Sequence, residues 1–129
     1  MNPMKHKVLI TGAAKRIGRA IAEAFADAGN DVAIHYHTSH AEAEELQRLL
    51  QAKGVQAVLC QADLRVPEAS KEILAQLSRQ SFAPDLLINS ASVYQRARLS
   101  DLAPEALAEL YRINFFAPFE LMQIGRAHV

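Results

Sequence analysis

Short apolar runs alternate with longer segments of helical periodicity along this chain, and this alternation is the strongest constraint on its fold. Apolar runs joined by helices pair as parallel strands through right-handed crossovers, and the helices cover both faces of the sheet. The runs are Val8–Thr11, Val32–Tyr36, Val55–Cys60 and Leu86–Ile88, and the helical segments are Ile17–Ala28, Ala41–Lys53, one opening at Pro67 and one from about Pro104 to the end. The pattern predicts an α/β fold, the amino-terminal half of a doubly wound parallel sheet with strand order 3-2-1-4.

Residue spacing supports the first helical segment, and a pair of polar residues predicts where the last one begins. Ile17, Ile21 and Phe25 recur four apart in the first segment, and this spacing keeps side chains on one helix face. Ser100 and Asp101 precede the last segment, and their short polar side chains suit a helix N-cap.

The composition indicates a folded domain and excludes several classes of partner. Half of the residues are hydrophobic, and 14 Lys and Arg balance 14 Asp and Glu, which argues against a broad nucleic-acid or anionic-membrane surface. The apolar run Val8–Ile10 is too short for a signal-peptide core or a membrane span. A single cysteine, Cys60, excludes internal disulfides and is typical of a reducing compartment. We therefore expect a cytoplasmic protein with no nucleic-acid or membrane partner.

The segment between the first strand and the first helix, Thr11–Gly18, carries the strongest functional signal. Gly12 permits a tight turn, and Gly18 lets the helix pack closely. Unpaired N–H groups at the helix start suit a phosphate, and Lys15 and Arg16 favour a ligand with extra phosphate charge. Such a turn is typical of a Rossmann-like dinucleotide-binding fold. The alternative is an ordinary strand-to-helix turn with two solvated cations.

The end of the second strand indicates which dinucleotide is preferred. A protein that selects a free ribose 2′-hydroxyl usually places Asp or Glu there, whereas no acid occurs between Tyr36 and Glu42. Imidazoles and hydroxyls can accept a 2′-phosphate that a carboxylate would repel, so we expect NADPH rather than NADH. A metal site is the alternative for His35, His37 and His40, but no cysteine or carboxylate completes an obvious ligand set.

Further candidates follow the third and fourth strands, because the carboxyl ends of parallel strands form the ligand crevice. Asp63, followed by Leu64, either hydrogen-bonds an adenine edge or simply begins a loop. The small residues of Asn89–Ser92 let a ligand approach the backbone, or form an ordinary turn. Tyr94 stacks on a flat ring or covers the core. Asn114 lies among apolar residues, so we expect it to make a structural or catalytic hydrogen bond.

Together these motifs resemble the short-chain dehydrogenase/reductase family over residues 5–123. Thr11–Gly18 is similar to its glycine-rich cofactor turn, except that Arg16 stands where the middle glycine is usual. Asn89–Ser92 resembles its Asn-Asn-Ala-Gly motif, with serine at two positions. The resemblance implies an oxidoreductase in which Asn114 helps to organise a proton relay. It also implies a cofactor site formed by Gly12, Lys15, Arg16, Ile17, Gly18, Asp63, Leu64, Asn89, Ser90, Ala91 and Ser92.

The glycine-rich turn, the His-Tyr-His-x-Ser strand end and the Asn-x-Ala-Ser loop together resemble the pteridine reductase branch of the family. That resemblance implies NADPH-dependent reduction of dihydropterin- or folate-like substrates. Arg16 would then reach the cofactor phosphates and the pterin, Ser92 would contact cofactor and substrate, and Tyr94 would stack on the pterin. The residues implied around the 2′-phosphate are His37, Thr38 and Ser39. A short-chain reductase for another carbonyl substrate is the alternative, because many reductases share this pattern.

The family's proton donor, a tyrosine four residues before a lysine, has no counterpart in this chain. The tyrosines at 36, 94 and 111 are followed at that spacing by His40, Arg98 and Phe115. We therefore expect an amino-terminal fragment of a reductase whose full-length parent forms a homo-oligomer. A non-catalytic dinucleotide-binding or sensing module is the alternative.

The last residues, Ile124–Val129, depart from the family pattern where the helix should continue. The nucleotide string ATC GGA AGA GCA CAC GTC TGA encodes them with a stop and resembles a common sequencing adapter. We expect residues 5–123 to form a truncated NAD(P)-binding domain and residues 124–129 to be a non-native tail. The alternative is a natural helix end with Gly125 as the breaker.

Overall fold

Four parallel strands form one sheet in the computed structural model, which describes residues 5–92 and 98–127. In chain order the strands are β1 (Lys7–Ile10), β2 (Asp31–Tyr36), β3 (Ala57–Gln61) and β4 (Leu86–Ile88). Their order across the sheet is β3-β2-β1-β4, which confirms the predicted topology. Strand β3 begins at Ala57, two residues later than predicted. The N–H of the preceding residue, Gln56, donates to the Asp31 carboxylate at 2.8 Å instead of to the backbone of a neighbouring strand.

Five helices connect or follow the strands in the described part of the chain. They are α1 (Arg16–Asp27), α2 (His40–Ala52), α3 (Ala69–Arg79), α4 (Pro104–Tyr111) and α5 (Ala117–Ala127).

Helices α3 and α4 begin differently from the sequence predictions. The α3 helix starts at Ala69 rather than Pro67, because a turn closed by the Ala69 N–H on the Val66 carbonyl precedes it. The α4 helix starts at Pro104 as predicted, but Ala103 is its N-cap. The prediction that Ser100 and Asp101 cap this helix is therefore wrong, since both lie in a 3₁₀ turn. A π-helical turn, Arg112–Phe116, separates α4 from α5.

Side chains from alternate strand positions bury the two faces of the sheet against different helices. Val8 and Ile34 belong to a buried cluster that includes α1 and α2 residues. Leu9 and Cys60 belong to a second cluster with α3 and α5 residues. The prediction of a sheet covered on both faces is thus confirmed. Cys60 is buried, and burial raises the pKa of its thiol to about 12, which agrees with a role in the core.

Small residues occupy the fully buried positions of α1. Gly18, Ala22 and Ala26 are buried, so the helix backbone can approach the strands closely. Ile21 and Phe25 are partly buried and pack against the core, whereas Ile17 is 73% exposed. No helix in the described residues is long and apolar enough to cross a bilayer.

Candidate functional site

An open cleft of about 770 Å³ lies at the carboxyl ends of the strands. Strand β1 is flanked there by β2 and β4. The chain runs outward from β1 through β2 to β3 and then returns to β4 on the other side of β1, and this reversal of strand order creates a crevice. The cleft brings together most of the cofactor residues that the sequence predicted. Those that line it are Gly12, Lys15, Arg16, Ile17, Gly18, His37, Asp63, Leu64, Ser90, Ala91 and Ser92.

The glycine-rich turn closes tightly because two of its positions have no room for a side chain. Gly12 has a φ of +61°, and a Cβ atom there would lie 2.8 Å from the Cα of Ala91. A Cβ atom on Gly18 would overlap the carbonyl group of Gly12. Both glycines therefore allow backbone from the turn, α1 and the loop after β4 to meet at the cleft wall.

Thr11 fastens the glycine-rich turn to the loop that follows β4. Its hydroxyl is buried and accepts hydrogen bonds from the N–H groups of Ser90 and Ala91, both at 3.0 Å. The Thr11 N–H in turn donates to the Ile88 carbonyl at 3.1 Å. These hydrogen bonds hold the glycine-rich turn and the loop after β4 together at the cleft wall without the help of a ligand.

The start of α1 offers unsatisfied N–H groups and two cations to the cleft. Lys15 is the N-cap residue, and no side chain caps the helix, so its first N–H groups lack side-chain acceptors. Lys15 and Arg16 are exposed, and neither forms an ion pair with the residues that the structure describes. Arg16 has a φ of +56°, a left-handed conformation that costs a non-glycine residue about 1–2 kcal/mol. Backbone donors and cations at one helix start fit an anionic group such as a phosphate.

His35 lies at the cleft floor with both ring nitrogens in hydrogen bonds. Its Nδ1 accepts the Gly12 N–H, and its Nε2 donates to the Ala62 carbonyl, each at 3.0 Å. Burial lowers the pKa of the imidazole to about 4, against the opposing effect of the Ala62 carbonyl. The ring is therefore neutral near pH 7 and has no nitrogen left for a metal ion.

His37 and His40, the other histidines of the alternative metal site, also contact other side chains. His40 contacts the Tyr36 hydroxyl through Nδ1 and the Glu44 carboxylate through Nε2, both at 2.6 Å. His37 Nε2 lies 3.6 Å from Asp63 Oδ2. Within residues 5–92 and 98–127, no three His, Cys, Asp or Glu side chains are placed to hold a metal ion.

On the β3 side of the cleft, the carboxylate of Asp63 forms an ion pair with Arg65. Arg65 Nη2 lies 2.8 Å from Asp63 Oδ2, and hydrogen bonding from Arg65 holds the pKa of Asp63 at about 2. Arg65 Nη1 also lies 4.0 Å from the carboxylate of Glu109. The negative charge of Asp63 is therefore balanced inside the cleft, while Lys15 and Arg16 keep their positive charge available.

The remaining predicted site residues do not line the cleft, or fall outside the described part of the chain. Thr38 and Asn89 are exposed, and Ser39 is half-buried. Asn114 is exposed in the π-helical turn, next to a cleft residue. Tyr94 lies outside the described residues.

The cleft also contains residues that the sequence reasoning did not assign to it. Those on the last helical segment follow spacings of three, four and seven residues, so one face of α4 and the π-helical turn forms a wall. Helical periodicity was therefore the signal that could have found them. These additional cleft residues are His35, Arg65, Ala106, Glu109, Leu110 and Ile113.

Comparison with known proteins identifies the family. The family model for short chain dehydrogenase matches residues 6–128. The chain belongs to the short-chain dehydrogenase family. This membership confirms the resemblance found in the glycine-rich turn and the strand ends.

Three similar proteins show how far the match extends. Versicolorin reductase 1 of Aspergillus parasiticus is 31% identical over 94% of this chain and 46% of its own length. The angucycline C-6 ketoreductase LanV, solved with NADP, is 31% identical with a TM-score of 0.90 over 95% of this chain and 50% of that one. FolM alternative dihydrofolate reductase 1 from Brucella suis, solved with NADP, is 30% identical with a TM-score of 0.83 over the same shares. The chain therefore spans about half the length of these relatives.

Proposed function

We propose that this chain forms the cofactor-binding half of an NADPH-dependent reductase of the short-chain dehydrogenase type. The observation that carries the proposal is the uncapped start of α1, where Lys15 and Arg16 stand beside the closely packed Gly12 and Gly18. When bound, NADPH supplies the hydride, while the chain's own residues bind and orient its phosphates. Solved structures of the ketoreductase LanV and of FolM with NADP support this choice of cofactor.

Preference for NADPH over NADH follows from the charges around the cleft. No carboxylate stands at the end of β2, where His37 lies exposed and lines the cleft. The Asp63 carboxylate is engaged by Arg65, so it opposes a 2′-phosphate less than a free carboxylate would. Lys15 and Arg16 are then the cations that remain for the phosphate.

Titration of the chain with both cofactors tests this preference. Arg16→Ala should weaken NADPH binding by about 1–3 kcal/mol, the usual cost of a lost charge-assisted hydrogen bond. Arg19→Ala is the matched control, because Arg19 pairs with Glu23 and Glu45 and does not line the cleft. Equal or tighter binding of NADH by the unsubstituted chain would contradict the proposal.

The proton donor is proposed to lie outside this sequence, since no tyrosine here precedes a lysine by four residues. General acid catalysis typically contributes about 10²–10⁴-fold, so we expect no measurable hydride transfer by the chain alone. Reductase rates of this chain and of a version extended to the natural stop of its gene should therefore differ. Comparable rates would contradict the proposal. An extended version that binds NADPH and reduces none of the substrates tested would favour the alternative, a non-catalytic dinucleotide-binding module.

We propose that the substrate is a pteridine of the dihydropterin or folate type, because Arg16 and Ser92 both line the cleft. The similarity to FolM supports this class, whereas the similarity to LanV supports another carbonyl substrate. Assays of the extended version with dihydropterins, folates and simple ketones separate the two. Turnover of ketones without turnover of pterins would leave only the general reductase assignment.

Two proposals concern the parent protein. We propose that it is a homo-oligomer, because α4, α5 and the turn between them expose Tyr111, Phe115, Phe116, Phe119 and Met122. Light scattering of the extended version should give a multiple of the monomer mass.

We also propose that residues 5–123 form its cofactor domain and that residues 124–129 derive from an adapter. A genomic sequence that continues through Ile124–Val129 would contradict the adapter origin.

A further inference from the structure

One buried side chain connects the two loops that border the cofactor cleft. His35 is 2% exposed and lies one residue before the end of β2, the strand between β1 and β3. Its ring reaches Gly12, in the turn after β1, and Ala62, in the loop after β3. Its backbone carbonyl also accepts the Ala13 N–H at 2.9 Å.

The two partners fix the tautomer of the ring. The Ala62 carbonyl can only accept, so Nε2 must carry the hydrogen; the Gly12 N–H can only donate, so Nδ1 must be bare. A protonated ring would turn an N–H against the Gly12 N–H and lose that bond. The neutral ring therefore sets the separation between the glycine-rich turn and the residue immediately before Asp63.

We propose that His35 is a positioning residue for the cofactor site, holding the glycine-rich turn and the Asp63 loop at the spacing that one dinucleotide must bridge. The inference rests on the proposed function, because those loops would hold the pyrophosphate and the adenine of NADPH. His35 itself need not touch the cofactor. It acts through Gly12 and Ala62, so its loss changes the relative placement of two half-sites.

Two substitutions of His35 test its hydrogen bonds to Gly12 and Ala62 one at a time. In His35→Asn the shorter amide can replace Nδ1 and accept the Gly12 N–H, but it cannot reach Ala62. In His35→Gln the longer amide can donate to the Ala62 carbonyl while the bond to Gly12 is lost. Cys60→Ala is the matched control for damage to the core, because Cys60 is buried opposite His35 in the strand register and does not line the cleft.

The probes are NADPH, which needs both loops, and adenosine 2′-monophosphate, which lacks the pyrophosphate. We expect His35→Gln to weaken NADPH about tenfold while adenosine 2′-monophosphate stays within about twofold. We expect His35→Asn to weaken both ligands, and Cys60→Ala to lower the melting temperature with both affinities kept. Folded His35 variants that bind NADPH like the parent, or a Cys60→Ala that loses affinity equally, would overturn the inference. If the unsubstituted chain does not bind NADPH, the proposed function fails first.

A measurement without substitution keeps the test valid if the variants do not fold. Long-range ¹H–¹⁵N spectra of the unsubstituted chain report the tautomer and charge of each histidine ring. We expect His35 to remain neutral with the hydrogen on Nε2 at pH 6, with and without NADPH. A ring that is protonated at pH 6, or that carries its hydrogen on Nδ1, would overturn the inference.

Discussion

The two ends of the sheet satisfy their charged groups in opposite ways. At the amino ends of the strands, buried Asp31 lies 3.1 Å from Lys5 and 3.5 Å from Lys7, and it accepts the Gln56 N–H. At the carboxyl ends, Lys15 and Arg16 form no ion pair with the described residues. Asp31 and its two lysines are therefore paired within the chain at the amino end. The carboxyl end pairs Asp63 with Arg65 but leaves Lys15, Arg16 and the helix N–H groups for a ligand.

This difference separates stability from binding in space. Groups paired at the amino end contribute to the free energy of unfolding of the free chain. Strain and unpaired charge at the carboxyl end reduce that free energy and are offset only when a ligand binds the folded state. Substitutions at the carboxyl end should accordingly change cofactor affinity, whereas those at the amino end should change stability and leave that affinity unchanged.

The largest expected effect distinguishes two glycines with left-handed backbone. Gly12→Ala would place its Cβ 2.8 Å from the Ala91 Cα, so we expect about 3 kcal/mol or more of lost stability and no detectable NADPH binding. Gly29→Ala has a φ of +89° but open space around the new methyl group, so it should cost about 1–2 kcal/mol with NADPH affinity unchanged. Denaturant unfolding and cofactor titration of both variants check this. A Gly12→Ala chain that binds NADPH normally would break the comparison.

The pH dependence of stability should also differ between the ends. The folded pKa of His35 is about 4 against 6.5 in the unfolded chain, so the unfolded chain binds the extra proton between these values. Stability from His35 is then complete above pH 6.5 and falls by about 3 kcal/mol as the pH drops to 4.

Asp31 at the other end should lose its contribution at lower pH. Burial opposes its ionisation, but the Gln56 N–H and Lys5 outweigh that effect and lower its pKa below 3.8. Its contribution is therefore kept above pH 3.8 and lost below it. Urea unfolding from pH 8 to pH 3 measures both ranges. A profile of the parent that stays flat from pH 6.5 to 4 would contradict the assignment to His35.

The features predicted from the sequence are those set by local pattern. The alternation of apolar runs with helical segments indicated a parallel sheet, and its likeness to the first half of a doubly wound dinucleotide-binding fold gave the strand order. The positions of Gly12 and Gly18 indicated the tight turn, because only backbone fits there. Both depend on residue type and short spacing, which a single sequence displays directly.

The features that the sequence did not predict depend on contacts between distant residues. The partners of His35 lie 23 and 27 residues away in the chain, so its role became visible only in the sheet. The spacing of Ile17, Ile21 and Phe25 did not show that Ile17 would be exposed while the other two side chains pack against the core. The ion pair between Asp63 and Arg65 joins residues that are close in the chain, but whether such a pair forms depends on the surrounding fold.

A third prediction compares one substitution at each end of the sheet by its effects on stability and on NADPH affinity. Arg16→Gly removes left-handed strain, so we expect a gain of about 0.5–1 kcal/mol in stability and NADPH binding weakened about tenfold or more. Asp31→Asn should lower stability by about 1–3 kcal/mol with NADPH affinity unchanged, because it weakens bonds to Lys5, Lys7 and Gln56. Unfolding curves and NADPH titrations measure both. If Asp31→Asn also weakens NADPH binding, or if Arg16→Gly leaves it unchanged, the two ends are not functionally distinct.

The smallest expected effect concerns Asp63, a cleft carboxylate that already forms an ion pair with Arg65. Arg65→Ala should raise the pKa of Asp63 from about 2 toward its usual 3.8, because the hydrogen bond from Arg65 is the largest cause of the depression. The rise should be incomplete, since His37 remains 3.6 Å away. Stability at pH 7 should change little, because the pair is partly exposed and screened by solvent. Carboxyl ¹³C titration of Asp63 measures the shift, with Lys5→Ala and Asp31 as the matched pair at the amino end. Asp31 should stay depressed there, because the Gln56 N–H still donates to it. An unchanged Asp63 pKa in Arg65→Ala would mean that backbone and histidine contacts alone keep that carboxylate ionised.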